Sequence, residues 1–459
     1  MNTSFIIALG LYLIVFIAIG VLDFKKIKSF TDFGVAGKNQ STFAVTMTLL
    51  ATVLGASTTI GITDTVYQIG FPGIWWLLFG AVGLILQSFI LSEKVRATGA
   101  DTLPHLARIT MGRPAELLLA LIIVISWVGV IAGQLVAMNA LVTFAIGKSS
   151  KVIFAVVSLI VIAYTTVGGQ LSVVKTDKIQ LIIIFVGIII CCGYLYFIKG
   201  GDTSEVFKHV ELINDYYRPA NMFTQFFVIG GVYFLGPDIM SRNFISKDEK
   251  TAKRSALISG IVLILFAVVV TFIGMWVKAN VTPEELGDSK ALMHVIDLIP
   301  RPVGIILIFG LLSAILSSTD TCIINASTIL VKDVLGKENV KLVRIAVGVI
   351  GVISLVLAMA GRGDILTLLT GAYSIYTPGV IFPLFIAIIC YGKRNIRKGV
   401  WILGPVLGGI IGIAGTYFSN VLVWLGVPLS VLSYITLIGM GISLLTSLLS
   451  IGGAVESKS

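Results

Sequence analysis

The sequence predicts an all-α integral membrane protein of about thirteen transmembrane helices. Three observations lead to this prediction. The 459 residues are 57% hydrophobic and only 12% charged, whereas soluble domains carry about 25% charged residues. The apolar residues fall into segments of about 20, the length that crosses a bilayer as a helix. Two of these segments are interrupted at mid-depth by glycine, proline and hydroxyl residues, which sets them apart from ordinary spans.

The predicted spans cover almost the whole chain. They begin near residues 4, 42, 72, 116, 152, 178, 222, 255, 302, 340, 364, 399 and 428. The first span is not interpreted as a cleavable signal peptide, because it lacks a basic start and a small-residue cleavage site. It is also about as long as a full membrane crossing.

The basic residues indicate the orientation of the chain in the membrane. If the N-terminus is outside, most of the 33 Lys and Arg residues fall in loops on the inner side. Cytoplasmic loops carry such an excess, so we expect a cell-membrane protein with its N-terminus outside and its C-terminus in the cytoplasm. The net charge of +10 therefore reflects membrane topology and not nucleic-acid binding.

Two spans that lie five apart contain helix-breaking residues. The second span, residues 49–70, contains Gly55 within a cluster of Ser and Thr, and the seventh, residues 226–240, contains Gly236-Pro237. Both spans are expected to unwind locally. Because five is odd, corresponding spans of two five-helix units run in opposite directions. Paired broken helices in such an inverted repeat are typical of the binding site of a secondary transporter.

We therefore expect one transmembrane transporter domain over residues 1–459. Its predicted parts are an extra N-terminal helix (4–22), a first inverted repeat (42–199), a second inverted repeat (222–392) and two C-terminal helices (399–451).

Oxygen-bearing side chains interrupt the ninth span, where Ser317-Ser318-Thr319-Asp320-Thr321 lies near the centre of a long apolar segment. A charged Asp at this depth costs about 2.5–3.5 kcal/mol, so it is expected to face protein, water or a cation. At 100° per residue, most of the cluster shares one helix face, with the carboxylate at its edge. This pattern is suited to binding a small alkali cation.

Three segments resemble motifs of the sodium:solute symporter family. Residues 167–180, VGGQLSVVKTDKIQ, are similar to the stretch that opens the sixth span of the family. Residues 236–242, GPDIMSR, resemble its motif after the seventh span, and residues 317–334 resemble its Ser/Thr-rich ninth span. The resemblance implies the leucine-transporter-type five-plus-five fold. It also implies sodium-coupled symport of a small organic solute into the cell by alternating access.

The same resemblance implies two sodium sites. The ligands of the first would be Ala51, Leu54, Ala314, Ser317 and Ser318. Those of a possible second site would be Asp177, Ser317, Asp320 and Thr321. Two other interpretations stay open: the serines bond to their own helix, or Asp177 is a water-exposed residue at a helix start.

Solute contacts are expected near the two breaks and on the facing fourth span. The resemblance implies Val53, Gly55 and Thr58 in the second span. The isolated amides Gln134 and Asn139 need partners if they are buried, so each contacts either the solute or another helix.

Three further residues bear on the solute and the ion. Tyr233, beside the second break, is interpreted as a gating or stacking residue or as aromatic packing. Asp64 either favours a cationic solute or pairs with a neighbour, and no mid-span Arg or Lys is expected near the pocket. Lys175 departs from the apolar or aromatic residue expected at its position. It either reaches the cytoplasm or approaches the ion site and changes the coupling.

Four alternatives to sodium symport stay open. They are a proton-coupled transporter of the same fold, an ion-independent one, a substrate-sensing homologue and an ion channel. No metal-binding or nucleophile–base motif is visible, so an enzyme is not expected. The expected partners are sodium ions, a small organic solute and the lipid membrane, without nucleic acid. The identity of the solute and the oligomeric state stay open.

Overall fold

A computed structural model describes residues 2–24, 27–201, 208, 210–361 and 364–454 of the chain. Most of them are helical. Lys25, Lys26 and Lys458 belong to the basic residues that are expected on the inner side of the membrane. They lie outside the described residues.

Helices of membrane-spanning length dominate the described residues. Nine of them are long and apolar enough to cross a membrane, and one of these, Lys151–Lys199, encloses two predicted spans. The pair Thr42–Val53 and Ser57–Ile69 passes the same test across a bend of 58°. Two shorter apolar helices, Ala8–Phe24 and Ile435–Leu449, lie near the ends of the chain. The helical membrane fold is confirmed, whereas the number thirteen stays a prediction.

Nine α-helices lie within the described residues 2–24 and 27–201. They are α1 (Asn2–Phe24), α2 (Phe30–Val35), α3 (Thr42–Val53), α4 (Ile62–Ile69), α5 (Trp75–Ile90), α6 (Ser92–Ala97), α7 (Leu103–Met111), α8 (Arg113–Ile146) and α9 (Lys151–Tyr194). Tighter 3₁₀ turns occupy Ala36–Lys38 and Phe71–Ile74, and wider π-helical turns occupy Ser57–Gly61 and Leu195–Lys199.

Fifteen α-helices, many of them short, and one small β-ribbon lie within the described residues after 218. The helices are α10 (Pro219–Gln225), α11 (Gly231–Leu235), α12 (Pro237–Ile245), α13 (Glu249–Asn280), α14 (Pro283–Leu286), α15 (Ala291–Leu298), α16 (Arg301–Ile329), α17 (Val340–Met359), α18 (Ile365–Tyr376), α19 (Phe382–Cys390), α20 (Lys398–Trp401), α21 (Leu403–Tyr417), α22 (Ser419–Trp424), α23 (Leu429–Leu432) and α24 (Ile435–Leu449). Further π-helical turns occupy Phe226–Gly230, Leu330–Val334 and Thr377–Ile381. Strands β1 (Arg394–Ile396) and β2 (Ile451–Ala454) pair antiparallel.

Both predicted interruptions are present. Helix α3 ends at Val53, and Leu54 leaves the helical conformation with φ −87° and ψ 57°. Helix α11 ends at Leu235, Gly236 is extended with φ −71° and ψ 146°, and Pro237 begins α12. Proline suits that first helical position because its missing N–H has no partner there in any helix.

Helix α16 lies at the centre of the helix bundle. It packs against α8, α9 and α17, and both broken helices contact it through α3 and α12. Every residue from 310 to 329 is buried, although this stretch includes Asp320 and many hydroxyl groups. A helix that is buried all round must place its polar side chains against protein partners or ligands. This helix therefore carries a buried polar centre.

A glycine divides α9 into two helical segments. Gly169 has φ +57° and ψ −174°, a conformation open essentially only to glycine. A Cβ atom at this position would lie 2.8 Å from Cδ2 of Phe33. The break lies between the two spans that the sequence predicts within α9.

We expect Gly169→Ala to lower the stability of the protein, because it adds backbone strain of about 1–3 kcal/mol and a clash with Phe33. The measurement is the thermal unfolding midpoint in detergent. Gly193→Ala, on the same helix, is the matched control, since a Cβ there meets no atom within 4 Å. The control should be as stable as the wild type or more so. Equal midpoints for the two variants would contradict the assignment of strain to Gly169.

Candidate functional site

The broken end of α3 meets α16 through two serine hydroxyls. Ser317 Oγ donates to the carbonyl oxygen of Ala51 at 2.7 Å and to that of Ala314 at 3.2 Å. Ser318 Oγ donates to the carbonyl oxygen of Thr52 at 2.8 Å and also to that of Ala314 at 3.1 Å. Each hydroxyl thus bonds both its own helix and the opposite one. Four of the five predicted ligands of the first sodium site lie in one connected group.

Leu54 is the fifth predicted ligand. It is fully buried at the end of α3, where its N–H donates to the carbonyl oxygen of Leu50 at 2.9 Å. The break after it ends the regular helix, so the last carbonyl groups of α3 lack the helical partners that a continuous span would supply. Carbonyl and hydroxyl oxygens are the ligands that hard cations prefer. The donor set therefore fits sodium.

Gly55 permits the close approach of the break to α16. A Cβ atom on Gly55 would lie 2.5 Å from Ser318 Oγ and 3.1 Å from Nε2 of Gln134. Any larger residue would push the broken helix away from α16 and α8. The Gln134 side chain also supports the break, because its Oε1 accepts from the N–H of Ala56 at 3.2 Å.

A small enclosed cavity adjoins the serines. It is lined by Thr52, Val53, Gly55, Ser57, Val130, Gln134, Val232, Tyr233, Asp238, Ile239, Ser318, Cys322, Leu369 and Tyr373. The volume open to the centre of a water molecule is about 20 Å³, which is room for about one water in this conformation. The cavity is therefore closed around a space smaller than an organic solute.

Four of the six predicted solute residues line this cavity: Val53, Gly55, Gln134 and Tyr233. Thr58 is buried behind it, where its hydroxyl donates to the carbonyl oxygen of Val53 at 3.0 Å and to that of Gly55 at 3.1 Å. Asn139 lies half-buried further along α8 and is not part of the lining.

The predicted second sodium ligands have partners on other helices. Asp320 accepts hydrogen bonds from the hydroxyls of Tyr164 and Thr165, the latter at 2.6 Å. Asp177 accepts from the hydroxyl of Thr48. Asp177 is fully buried, so its interpretation as a water-exposed residue is wrong.

Arg242 is the main residue that the sequence prediction missed. Its side chain is 0% exposed, and Nη2 donates to the hydroxyls of Thr52 and Thr321, the latter at 2.6 Å. The same nitrogen lies 3.5 Å from Oδ2 of Asp177. A buried cation therefore contacts two of the predicted second-site ligands. The signal in the sequence was its place six residues after Gly236, at the end of the GPDIMSR motif.

Lys175 and Asp64 each form an ion pair away from the serines. Lys175 Nζ lies 2.5 Å from Oδ1 of Asp23 on α1, and 41% of the lysine side chain is exposed. Asp64 Oδ2 accepts from Lys290 Nζ at 2.8 Å, and its Oδ1 accepts from the N–H of Ala291 at 3.3 Å. Of the two interpretations of Asp64, the structure shows the paired one.

An ionic cluster holds three segments together around Asp101. Its carboxylate pairs with Lys38 at 2.5 Å, with Lys332, and with His105 at 3.7 Å. Burial alone raises the pKa of the Asp101 carboxyl, but hydrogen bonds from these three side chains hold that pKa well below its ordinary value. The carboxylate therefore stays charged at neutral pH and ties the segment after α2 to the end of α16.

The fold and this site define a membrane transporter of the leucine-transporter type. The structure resembles a Na+-coupled sialic acid symporter with a TM-score of 0.80 and 17% sequence identity, covering 98% of each chain. It resembles the nucleobase-cation-symport transporter Mhp1 with a TM-score of 0.57 and 14% identity, covering 91% of this chain and 93% of that one. For MhsT in complex with L-phenylalanine the TM-score is 0.55 at 14% identity, covering 83% and 99%.

The chain belongs to the sodium:solute symporter family, whose model matches residues 33–412. It is 26% identical to the osmoregulated proline transporter OpuE of Bacillus subtilis (strain 168), over 93% of this chain and 89% of the relative. It is 24% identical to the high-affinity proline transporter PutP of the same organism, over 93% of each. The sodium/pantothenate symporter of Haemophilus influenzae is 27% identical over 72% of each chain. The protein is thus a sodium-coupled solute symporter and not an enzyme, as the sequence predicts.

We expect Arg242→Met to reduce the free energy of unfolding by about 3–5 kcal/mol, because it leaves the buried Asp177 carboxylate without its cationic partner. The double variant Arg242→Met, Asp177→Asn should recover most of this loss, since it removes the unpaired charge as well. Unfolding midpoints in detergent measure both effects.

Arg254→Met, at an exposed position on α13, is the matched control and should unfold like the wild type. A double variant as unstable as the single one would show that the Arg242–Asp177 pair does not account for the loss.

Proposed function

We propose that this symporter binds sodium at Ala51, Leu54, Ala314, Ser317 and Ser318 and uses it to drive uptake of a small organic solute. One observation carries the proposal: Ser318 belongs both to the predicted sodium ligands and to the lining of the cavity. An ion and a solute that share a residue change each other's binding free energy directly. Coupling then needs no long-range pathway.

The hydrogen bonds of the serines show how sodium would act. In the structure the hydroxyls of Ser317 and Ser318 donate to carbonyl oxygens of α3. A sodium ion among these oxygens would be coordinated by their lone pairs. It would thereby link α3 to α16. Sodium would favour the conformation in which these oxygens lie close together. The shift in the conformational equilibrium can be no larger than the difference between the affinities of the two conformations for sodium.

We propose the neighbouring cavity as the solute site in its closed form. Val53, Gly55, Gln134 and Tyr233 line it, and these residues would contact a bound solute directly. Thr58 would act by holding the carbonyl groups of the break in place. Asn139 is a weaker candidate, because α8 would have to move or bend before this side chain could reach the solute. Curated relatives carry proline and pantothenate in their names, which supports a small organic solute as the cargo.

We propose the second sodium site, Asp177, Ser317, Asp320 and Thr321, as subordinate to the first. An ion there would compete with existing partners, because Arg242 contacts Asp177 and Thr321. Lys175 pairs with Asp23 in the described conformation. That ion pair gives no support to ion-independent transport through Lys175.

We propose that the protein lies in the cell membrane with its N-terminus outside and its C-terminus in the cytoplasm, and that it carries solute inward. The excess of Lys and Arg in alternate loops supports this orientation. The proposed layout is an extra helix at 4–22, inverted repeats at 42–199 and 222–392, and two helices at 399–451. The observed breaks at Leu54 and Gly236, one in each repeat, support it.

We expect Ser317→Ala and Ser318→Ala each to raise the sodium concentration that gives half-maximal thermal stabilisation by about tenfold or more. Each variant removes one ligand oxygen, and a contact with a charged group is worth about 1.5–3 kcal/mol. The measurement is the unfolding midpoint of the purified protein in sodium, potassium and choline chloride.

Ser443→Ala, which removes a buried hydroxyl on the distant α24, is the matched control and should respond to sodium like the wild type. If both site variants kept the wild-type response to sodium, the sodium site would be located elsewhere.

A further inference from the structure

An acidic side chain faces the proposed solute cavity. Asp238 lies in the first turn of α12, directly after the break at Gly236. It lines the same enclosed cavity as Val53 and Ser318. The residue as a whole is half-buried, whereas its Oδ1 atom is buried.

The carboxylate of Asp238 is only partly satisfied by the protein. Its Oδ1 has no hydrogen-bond partner within the described part of the chain. The guanidinium of Arg242 lies one helical turn further on, but its Nη2 donates to Thr52, Thr321 and Asp177 instead. An unsatisfied buried carboxylate oxygen is costly, so this atom is expected to meet a donor in a functional state.

Three acidic side chains and one guanidinium group interact in the described centre of the bundle. Arg242 interacts with Asp177 and Asp238, and Asp320 interacts with Asp177. The proposed ligands of the first sodium site do not include Asp238. The positive end of α12 stabilises Asp238 in its charged form. The cavity therefore presents a negative group to its contents.

Two aromatic rings face the same space. Tyr233 and Tyr373 both line the cavity that Asp238 enters. A carboxylate combined with tyrosine rings attracts an ammonium group through an ion pair and cation–π contacts. The amide of Gln134 adds a neutral hydrogen-bonding group opposite them. The lining contains no Lys, Arg or His that would pair with an anion.

We propose that Asp238 binds an ammonium or substituted ammonium group of the transported solute and thereby selects amine-bearing solutes. The proposal rests on the proposed function of the cavity as the solute site. Asp238 would form an ion pair with the solute, Tyr233 and Tyr373 would enclose the cationic group, and Ser318 would join this site to the sodium ligands. Solutes of the same shape that lack the positive charge would bind far more weakly, because they leave the carboxylate desolvated and unpaired.

Thermal stabilisation of the purified wild type in saturating sodium tests the proposal with pairs of probes matched in shape. One pair is L-proline and cyclopentanecarboxylate, a second is β-alanine and propionate, and a third is choline and 3,3-dimethylbutanol. In each pair only the first compound carries a positive nitrogen. The member with the positively charged nitrogen is called the cationic probe. We expect stabilisation by the cationic probe of at least one pair and a response at least tenfold weaker to its counterpart, which lacks that nitrogen. This comparison needs no variant.

Asp238→Asn should weaken the binding of the stabilising cationic probe at least tenfold and reduce the preference within its pair. Stabilisation by sodium alone should stay as in the wild type. If Asp238 had a purely structural role, the substitution would instead weaken the binding of both members of the pair equally. The matched control is Asp248→Asn, which keeps a hydrogen-bonding side chain at the N-cap of α13, where Asp248 accepts from the N–H of Thr251 at 2.7 Å.

Three results would overturn the role of Asp238. They are equal binding of the two members of the pair, wild-type affinity of Asp238→Asn for the cationic probe, or no stabilisation by any cationic probe. Failure of the sodium site is distinguishable, because it removes the effect of sodium in the absence of solute. The probe pairs compared in potassium would then still report on Asp238.

Discussion

The contact between the broken end of α3 and the serines of α16 is the constraint on which the rest of the structure depends. A break in the middle of a bilayer leaves backbone carbonyl groups that neither lipid nor a regular helix can satisfy. Ser317 and Ser318 donate to two of them, at Ala51 and Thr52. The centre of α16, residues 310–329, is buried, and Gly55 must lack a side chain so that the break can approach it.

Much of this arrangement could be predicted from the sequence because its signals are local. Glycine, proline and hydroxyl residues at mid-span mark both breaks. Arg242 could not be placed in the same way. By sequence it belongs to a basic group after the seventh span, whereas in the fold the short helix α12 carries it inward to Asp177. Its role is set by helices distant in sequence.

Asp238 illustrates a second limit. Its position next to Gly236-Pro237 identifies it as a residue of the break, yet sequence does not show which way the side chain turns. Only the packing of α12 against α3 and α16 places it in the cavity with Tyr233. Asp64 shows the converse: it has the same chemistry in a broken helix, but Lys290 already pairs with it. The partners of a carboxylate, rather than its depth, distinguish a ligand-binding acid from a structural one.

The charges and the closure of the cavity lead to one physical account of coupling. Ionic contacts at Asp64 and Asp101 hold the segments around the cavity together, and the space between them is almost filled. A buried carboxylate oxygen without a donor costs free energy, and Oδ1 of Asp238 has none among the described residues. An ammonium group at Asp238 would compensate this cost, and sodium among the serines would link α3 to α16 beside it. The two cations would therefore stabilise the same closed conformation from neighbouring positions. Binding of either one would increase the affinity for the other.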